Sequence, residues 1–168
     1  KVGMFGISWG GFNSLQIAAR RPKQLKAIMP IGFADDRYAT DVHYQGGSVL
    51  ASDMLSWASI MFAFQALPPD PNNRADWREE WLKRLKNTPP YVEAWLTHQR
   101  RDAYWKHGSV CENYTDIEIP VYAVSGWGDA YKDSVLRLLE NLSCPKKALI
   151  GPWSHGFPQR SEPGPQIG

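Results

Sequence analysis

The sequence predicts an α/β protein in which a parallel sheet carries helices on its flanks and a helical segment is inserted between its second and third strands. Three observations support this. Four short runs are almost continuously apolar, as strands covered on both faces are. Two of the intervals between them carry helical apolar spacing, which makes strand–helix–strand units with the right-handed crossover. The long interval from 34 to 119 changes character, with few strand signals and many aromatic residues.

The elements follow in order. Val2–Ile7 reads as the first strand, and Gly11–Arg21 as a helix with Phe12, Leu15 and Ala19 on one side, stopped by Pro22. Ala27–Gly32 is the second strand. Within the insertion, Ser48–Ala66 reads as one long helix, and Leu67-Pro68-Pro69-Asp70-Pro71-Asn72-Asn73 is a turn-rich break. Arg74–Lys86 carries Trp77, Trp81, Leu82 and Leu85 at helical spacing, and Thr88-Pro89-Pro90 starts another helix. Val121–Trp127 is the third strand. Ala130–Leu142 is a helix with a stripe of Val135, Leu138, Leu139 and Leu142, and Ala148–Trp153 is the fourth strand. Residues 1–33 and 120–168 are thus expected to form the core. Residues 34–119 are expected to cap the C-terminal edge of the sheet, where open α/β sheets bind ligands.

Bulk properties narrow the function. A length of 168 residues suits one domain with a real core. A net charge of +2, with no basic run and no zinc spacing, gives no footprint for nucleic acid. The most apolar segment, Met54 to Leu67, is too short and too interrupted by Ser56, Ser59 and Gln65 to span a membrane. No cofactor or metal is expected, since no two histidines have the i, i+4 spacing of a zinc-binding helix. Cys111 and Cys144 make no disulfide framework. The chain opens on a strand with no leading apolar signal, so its compartment is not read; the cytoplasm is the default expectation. Homo-oligomerisation is left open. The eight tryptophans point to a large apolar pocket or a cap packed by rings.

Gly6-Ile7-Ser8-Trp9-Gly10 fits the G-x-S-x-G pattern of a nucleophile elbow, with a strand before it and a helix after it. The pattern alone arises by chance in about one such chain in a dozen. Its flanking glycines are expected to relieve crowding at the turn that exposes the serine. A serine hydroxyl needs a base within hydrogen-bond reach and a third group to orient that base. Asp129, in Gly126-Trp127-Gly128-Asp129, ends the third strand, and His155, in Gly151-Pro152-Trp153-Ser154-His155, ends the fourth. Parallel strands bring all their C-terminal ends to one side, so Ser8, Asp129 and His155 are expected to converge. Their order is that of the α/β-hydrolase fold, of which the chain reads as a part. Asp133 is the weaker acid candidate, one helical turn further on. The Trp9 backbone N–H is the expected oxyanion donor; the second normally comes from a loop after an earlier strand, upstream of Lys1.

These motifs, together with the Leu25–Pro30 strand, resemble the cocaine esterase / Xaa-Pro dipeptidyl-peptidase family of serine hydrolases. The resemblance implies Ser8 as nucleophile, Asp129 as orienting acid and His155 as base. It also implies an N-terminal hydrolase segment with a tyrosine hydroxyl as second oxyanion donor, and a C-terminal jelly-roll domain. Trp9 stands where many relatives have tyrosine. The implied substrate is a small ester or amide, or a short peptide, cleaved through an acyl-enzyme; within that class a dipeptidyl-peptidase is the alternative to an esterase. A non-catalytic binding module on the same fold is the rival reading. For the pocket, Asp36, Asp41, His43, Tyr44 and Trp127 are the candidates, and Trp153 serves equally as wall or core. In relatives that act on α-amino esters or N-terminal dipeptides an acidic group holds the substrate ammonium, which draws attention to Asp35, Asp36 and Asp41. Loop and helix-cap roles explain those three aspartates as readily.

Overall fold

A computed structural model describes residues 1–161; the part of the expected core that falls on 162–168 lies outside it. The strands are β1 (Val2–Ile7), β2 (Leu25–Ile31), β5 (Val121–Gly126) and β6 (Lys146–Gly151), with a short antiparallel hairpin, β3 (Tyr44–Gln45) and β4 (Ser48–Val49), in the insertion. The helices are α1 (Trp9–Ala19), α2 (Ala51–Gln65), α3 (Trp77–Asn87), α4 (Tyr91–Thr97), α5 (Ala103–His107) and α6 (Lys132–Asn141). The main sheet has the order β1-β2-β5-β6 and is parallel throughout. Every strand therefore ends on the same edge, and the loops after β1, β2, β5 and β6 meet there.

Helices α1 and α6 pack on one face of this sheet. Leu15 and Ala18 of α1 join Ile28, Val121 and Ala123 from the strands and Val135 and Leu138 from α6 in one buried cluster. The other face carries a smaller cluster of Ile31, Val124 and Trp153, with Phe157 packed against it. On that face Phe5, Tyr122 and Leu149 are exposed. The apolar runs of the strands imply cover on both faces; among the described residues, helices cover one. Phe5 and Tyr122 satisfy the sequence pattern without being buried, because pattern reports what a strand is fit for and not what lies on it.

The insertion has its own core of Tyr44, Met54, Ala58, Trp95 and Trp105. One of its features differs from the sequence reading. The hairpin occupies the region where the long helix was expected to begin, because Gly46 and Gly47 take positive φ (57° and 81°) and turn the chain there, so α2 begins at Ala51. Helix α5 is a single short turn capped by Asp102, whose side chain accepts the Tyr104 N–H.

A buried ion pair ties insertion to core. Asp35, just past β2, has a fully buried side chain bridged by Arg137 of α6, with Nε 2.9 Å from Oδ2. The Tyr114 hydroxyl donates to the same carboxylate, and Arg137 Nη2 continues to Thr40 Oγ1 at 2.8 Å. The pair holds the start of the insertion against α6 and leaves Asp35 with no free face toward a ligand.

Candidate active site

Ser8 links β1 directly to α1 with φ 57° and ψ −120°, a conformation that L-residues rarely adopt. Such strain costs about 1–3 kcal/mol and persists only where the surroundings enforce it. Here the Ser8 N–H donates to Ile31 O at 2.9 Å, and its carbonyl accepts the Phe12 N–H at 2.9 Å. The turn needs close backbone approach at Gly6, where a Cβ would lie 2.7 Å from the Gly10 carbonyl carbon. At Gly10 a Cβ meets nothing, whereas at Gly11 it would lie 2.9 Å from Ile31 O. The expected crowding at both flanking glycines is thus corrected: the constraint falls on Gly6 and Gly11, because α1 leans on the end of β2.

The Trp9 N–H is among the first four of α1, which have no acceptor within the helix, and the N-terminal end of the helix dipole points the same way. The Trp9 indole is half exposed. It donates to Asn13 Oδ1 at 3.0 Å and lies 6.2 Å from the Trp57 ring.

The loops after β5 and β6 are clasped together by backbone bonds. Trp127 N–H donates to Gly151 O at 2.8 Å, and Gly128 N–H to Trp153 O at 3.0 Å. Both loops need glycine for this. A Cβ on Gly126 would overlap Trp153 O at 1.9 Å, and one on Gly151 would overlap the Trp153 ring at 1.7 Å. Trp153 is accordingly a core residue under the site. The clasp sets Asp129 Oδ2 2.9 Å from His155 Nδ1. Asp129 is buried, and its other oxygen accepts the Tyr131 N–H at 2.9 Å. Asp133 is half exposed beside Lys132.

Gly32, at the end of β2, completes the arrangement. It has φ +48°, and a Cβ there would lie 2.6 Å from Asp129 Oδ2 and 3.0 Å from His155 Nδ1. Gly32→Ala is therefore expected to push the pair off its geometry and to lower any turnover by about a hundredfold or more. Steady-state kinetics with circular dichroism as a fold control checks this; an unaffected rate contradicts it.

A cleft beside Ser8 is walled by Trp9, Phe12, Trp57 and Tyr131, and its polar side holds Arg37, Asp41 and His43. Tyr131 links cleft and pair, since its ring lies 5.5 Å from the His155 ring. Arg37 Nε lies 2.5 Å from Asp41 Oδ2, and His43 Nδ1 lies 2.7 Å from the same oxygen. Burial pushes the Asp41 carboxyl up, but the His43 hydrogen bond and the Arg37 charge outweigh it and hold it below its ordinary value. Burial pushes His43 down, against the pull of Asp41. A neutral His43 donating from Nδ1 to Asp41 and accepting at Nε2 from Arg37 Nη2 (3.3 Å) satisfies both neighbours.

The remaining candidates lie elsewhere. Asp36 caps a turn, its Oδ1 accepting the Tyr38 and Ala39 N–H groups, with Arg101 3.3 Å from Oδ2. Tyr44 is not a wall of the cleft: it is buried in the insertion, and its hydroxyl donates to Trp95 O at 3.1 Å. The Trp127 ring is largely exposed, and its backbone clasp is what serves the site. Arg37, Trp57 and Tyr131 were not foreseen. The one available signal was position, Tyr131 being two residues past Asp129 in the same loop.

The model of the X-Pro dipeptidyl-peptidase (S15) family matches residues 1–157. The chain belongs to this family. It is 24% identical to the cocaine esterase of Rhodococcus sp. (strain MB1 Bresler) over 92% of its own length and 31% of that protein's. Among solved structures, a CocE/NonD family hydrolase from Staphylococcus aureus matches with a TM-score of 0.68 at 18% identity, over 90% of this chain and 24% of that one. An α-amino acid ester hydrolase matches with a TM-score of 0.59 at 17% identity, over 93% and 28%. These likenesses establish an α/β-hydrolase-type fold for this S15 family chain, which spans about a third of the curated relative it matches.

Proposed function

We propose that the intact protein is a serine hydrolase that cleaves carboxylic ester or amide bonds through an acyl-enzyme. The observation that carries this is the 2.9 Å Asp129–His155 hydrogen bond, at the sheet edge where Ser8 sits on its positive-φ turn. Ser8 Oγ attacks the substrate carbonyl carbon as its proton passes to His155 Nε2. Asp129 holds the ring through Nδ1 and stabilises the imidazolium. The oxyanion is met by the Trp9 N–H at the start of α1. His155 returns the proton to the leaving group, and water then releases the acyl group by the same steps reversed. Residues 34–119 act as the cap, supplying Trp57, Arg37, Asp41 and His43 to the cleft. Membership of the S15 family and similarity to a cocaine esterase both support hydrolysis, and they name the two bond types, peptide and ester, to be compared.

Burst kinetics test the proposal. With a p-nitrophenyl ester in excess, the intact protein is expected to release an initial burst of nitrophenolate approaching one equivalent, followed by slower turnover. Absence of both burst and turnover across aryl esters, α-amino esters and Xaa-Pro amides would leave a binding module on a hydrolase fold.

A further inference from the structure

Asp41 is the acidic residue of the cleft that a cationic substrate would meet, yet it is already partnered. Oδ1 accepts the Val42 N–H at 2.8 Å and faces the Tyr131 hydroxyl at 3.4 Å. Oδ2 faces His43 Nδ1 at 2.7 Å and Arg37 Nε at 2.5 Å. Three hydrogen bonds and the ion contact with Arg37, whose Nε makes no hydrogen bond of its own, crowd the carboxylate, so an incoming ammonium reaches it only beside the guanidinium charge. The charges agree with the geometry: the Arg37 cation offsets the Asp41 anion, and burial pushes His43 toward its neutral form. An ammonium would also approach Arg37 itself, which lines the same cleft and is braced over the Phe12 ring at 4.7 Å.

We propose that Arg37 is a specificity-determining residue which, by occupying Asp41, makes the cleft select uncharged acyl groups and reject those bearing an α-ammonium. The acyl group would rest against the rings of Trp9, Phe12 and Trp57. The selection combines an attractive apolar wall with a repulsive element, as discrimination between near-isosteric ligands requires. The inference rests on the hydrolase reading only in calling the ligand an acyl group; the charge preference belongs to the cleft.

The test compares the methyl esters of phenylacetic acid and phenylglycine, which differ by the amino group, at about pH 6 where that amine is protonated. Dissociation constants of the two corresponding amides are measured in parallel, so that binding is read without turnover. The wild-type protein is expected to prefer the uncharged member by about tenfold or more in both readouts. Arg37→Met frees an Asp41 oxygen, and the ratio is expected to move about tenfold toward the ammonium member. Asp41→Asn leaves the guanidinium without its counter-ion and is expected to raise the preference for the anionic half-ester of phenylmalonic acid over methyl phenylacetate. Loss of turnover with the amide preference intact breaks the hydrolase reading and sustains this one. A wild-type preference for the ammonium member, or an unchanged ratio in an Arg37→Met protein that still binds phenylacetamide, overturns it.

Discussion

Replacing Ser8 by alanine is expected to lower kcat/KM by about five to six orders of magnitude while the protein stays folded. The size of the effect follows from what the turn provides. Ser8 holds φ 57° at the junction of β1 and α1, and the strain is maintained by its N–H bond to Ile31 O and by the close approach of Gly6 to Gly10. Alanine keeps every backbone bond and removes only the hydroxyl. On the proposed mechanism, what remains is the Trp9 N–H and the cleft, which would still polarise a bound carbonyl but offer nothing to attack it. Such remnants leave about 10³–10⁴-fold catalysis over water in comparable enzymes. A thermal melt within a few degrees of wild type establishes that the loss is chemical. A fall of less than about tenfold would mean that the reaction proceeds without Ser8.

Asp129→Asn is expected to cost about 10⁴-fold in kcat with little change in fold. The reason lies in the second hydrogen bond of the carboxylate. Oδ1 of Asp129 accepts the Tyr131 N–H at 2.9 Å, and Oδ2 faces His155 Nδ1 at 2.9 Å. An asparagine must keep its carbonyl oxygen toward the Tyr131 N–H, so its NH₂ group faces His155. Nδ1 then has to accept, the proton moves to Nε2, and the nitrogen that should take the Ser8 proton is already protonated. The substitution thus selects the wrong tautomer without displacing the ring. Steady-state kinetics at neutral pH checks it, and a loss below about tenfold would show that Asp129 does not orient the base.

Much of this was legible in the sequence. The strands were, because residues such as Val121 to Val124 form apolar runs, and the crossover rule then puts Ser8, Asp129 and His155 on one edge. Each of the three ends a strand, so its position followed from the fold without any knowledge of contacts. The insertion was less legible. Two-residue strands are too short to show alternation, so β4 at Ser48–Val49 was hidden inside the start of an apparent helix. Asp36 and Asp41 lie in one irregular loop with no periodicity. Nothing in their spacing tells that one caps a turn while the other faces the cleft held by Arg37. Tyr44 was misplaced for a related reason: an aromatic residue between β2 and β5 serves core and wall alike until packing distinguishes them. Gly10 and Gly11 show the finest limit, since adjacent glycines differ only in which one faces β2.

The proposed mechanism turns on an acyl-enzyme at Ser8. The direct measurement is to quench the intact protein with acid during the p-nitrophenyl ester burst and map the retained acyl group by peptide mass spectrometry. One acyl group per protein is expected, on the peptide carrying Gly6-Ile7-Ser8-Trp9-Gly10 and absent from Ser8→Ala. An acyl group on another residue, or turnover that leaves no acyl group on Ser8, would contradict it.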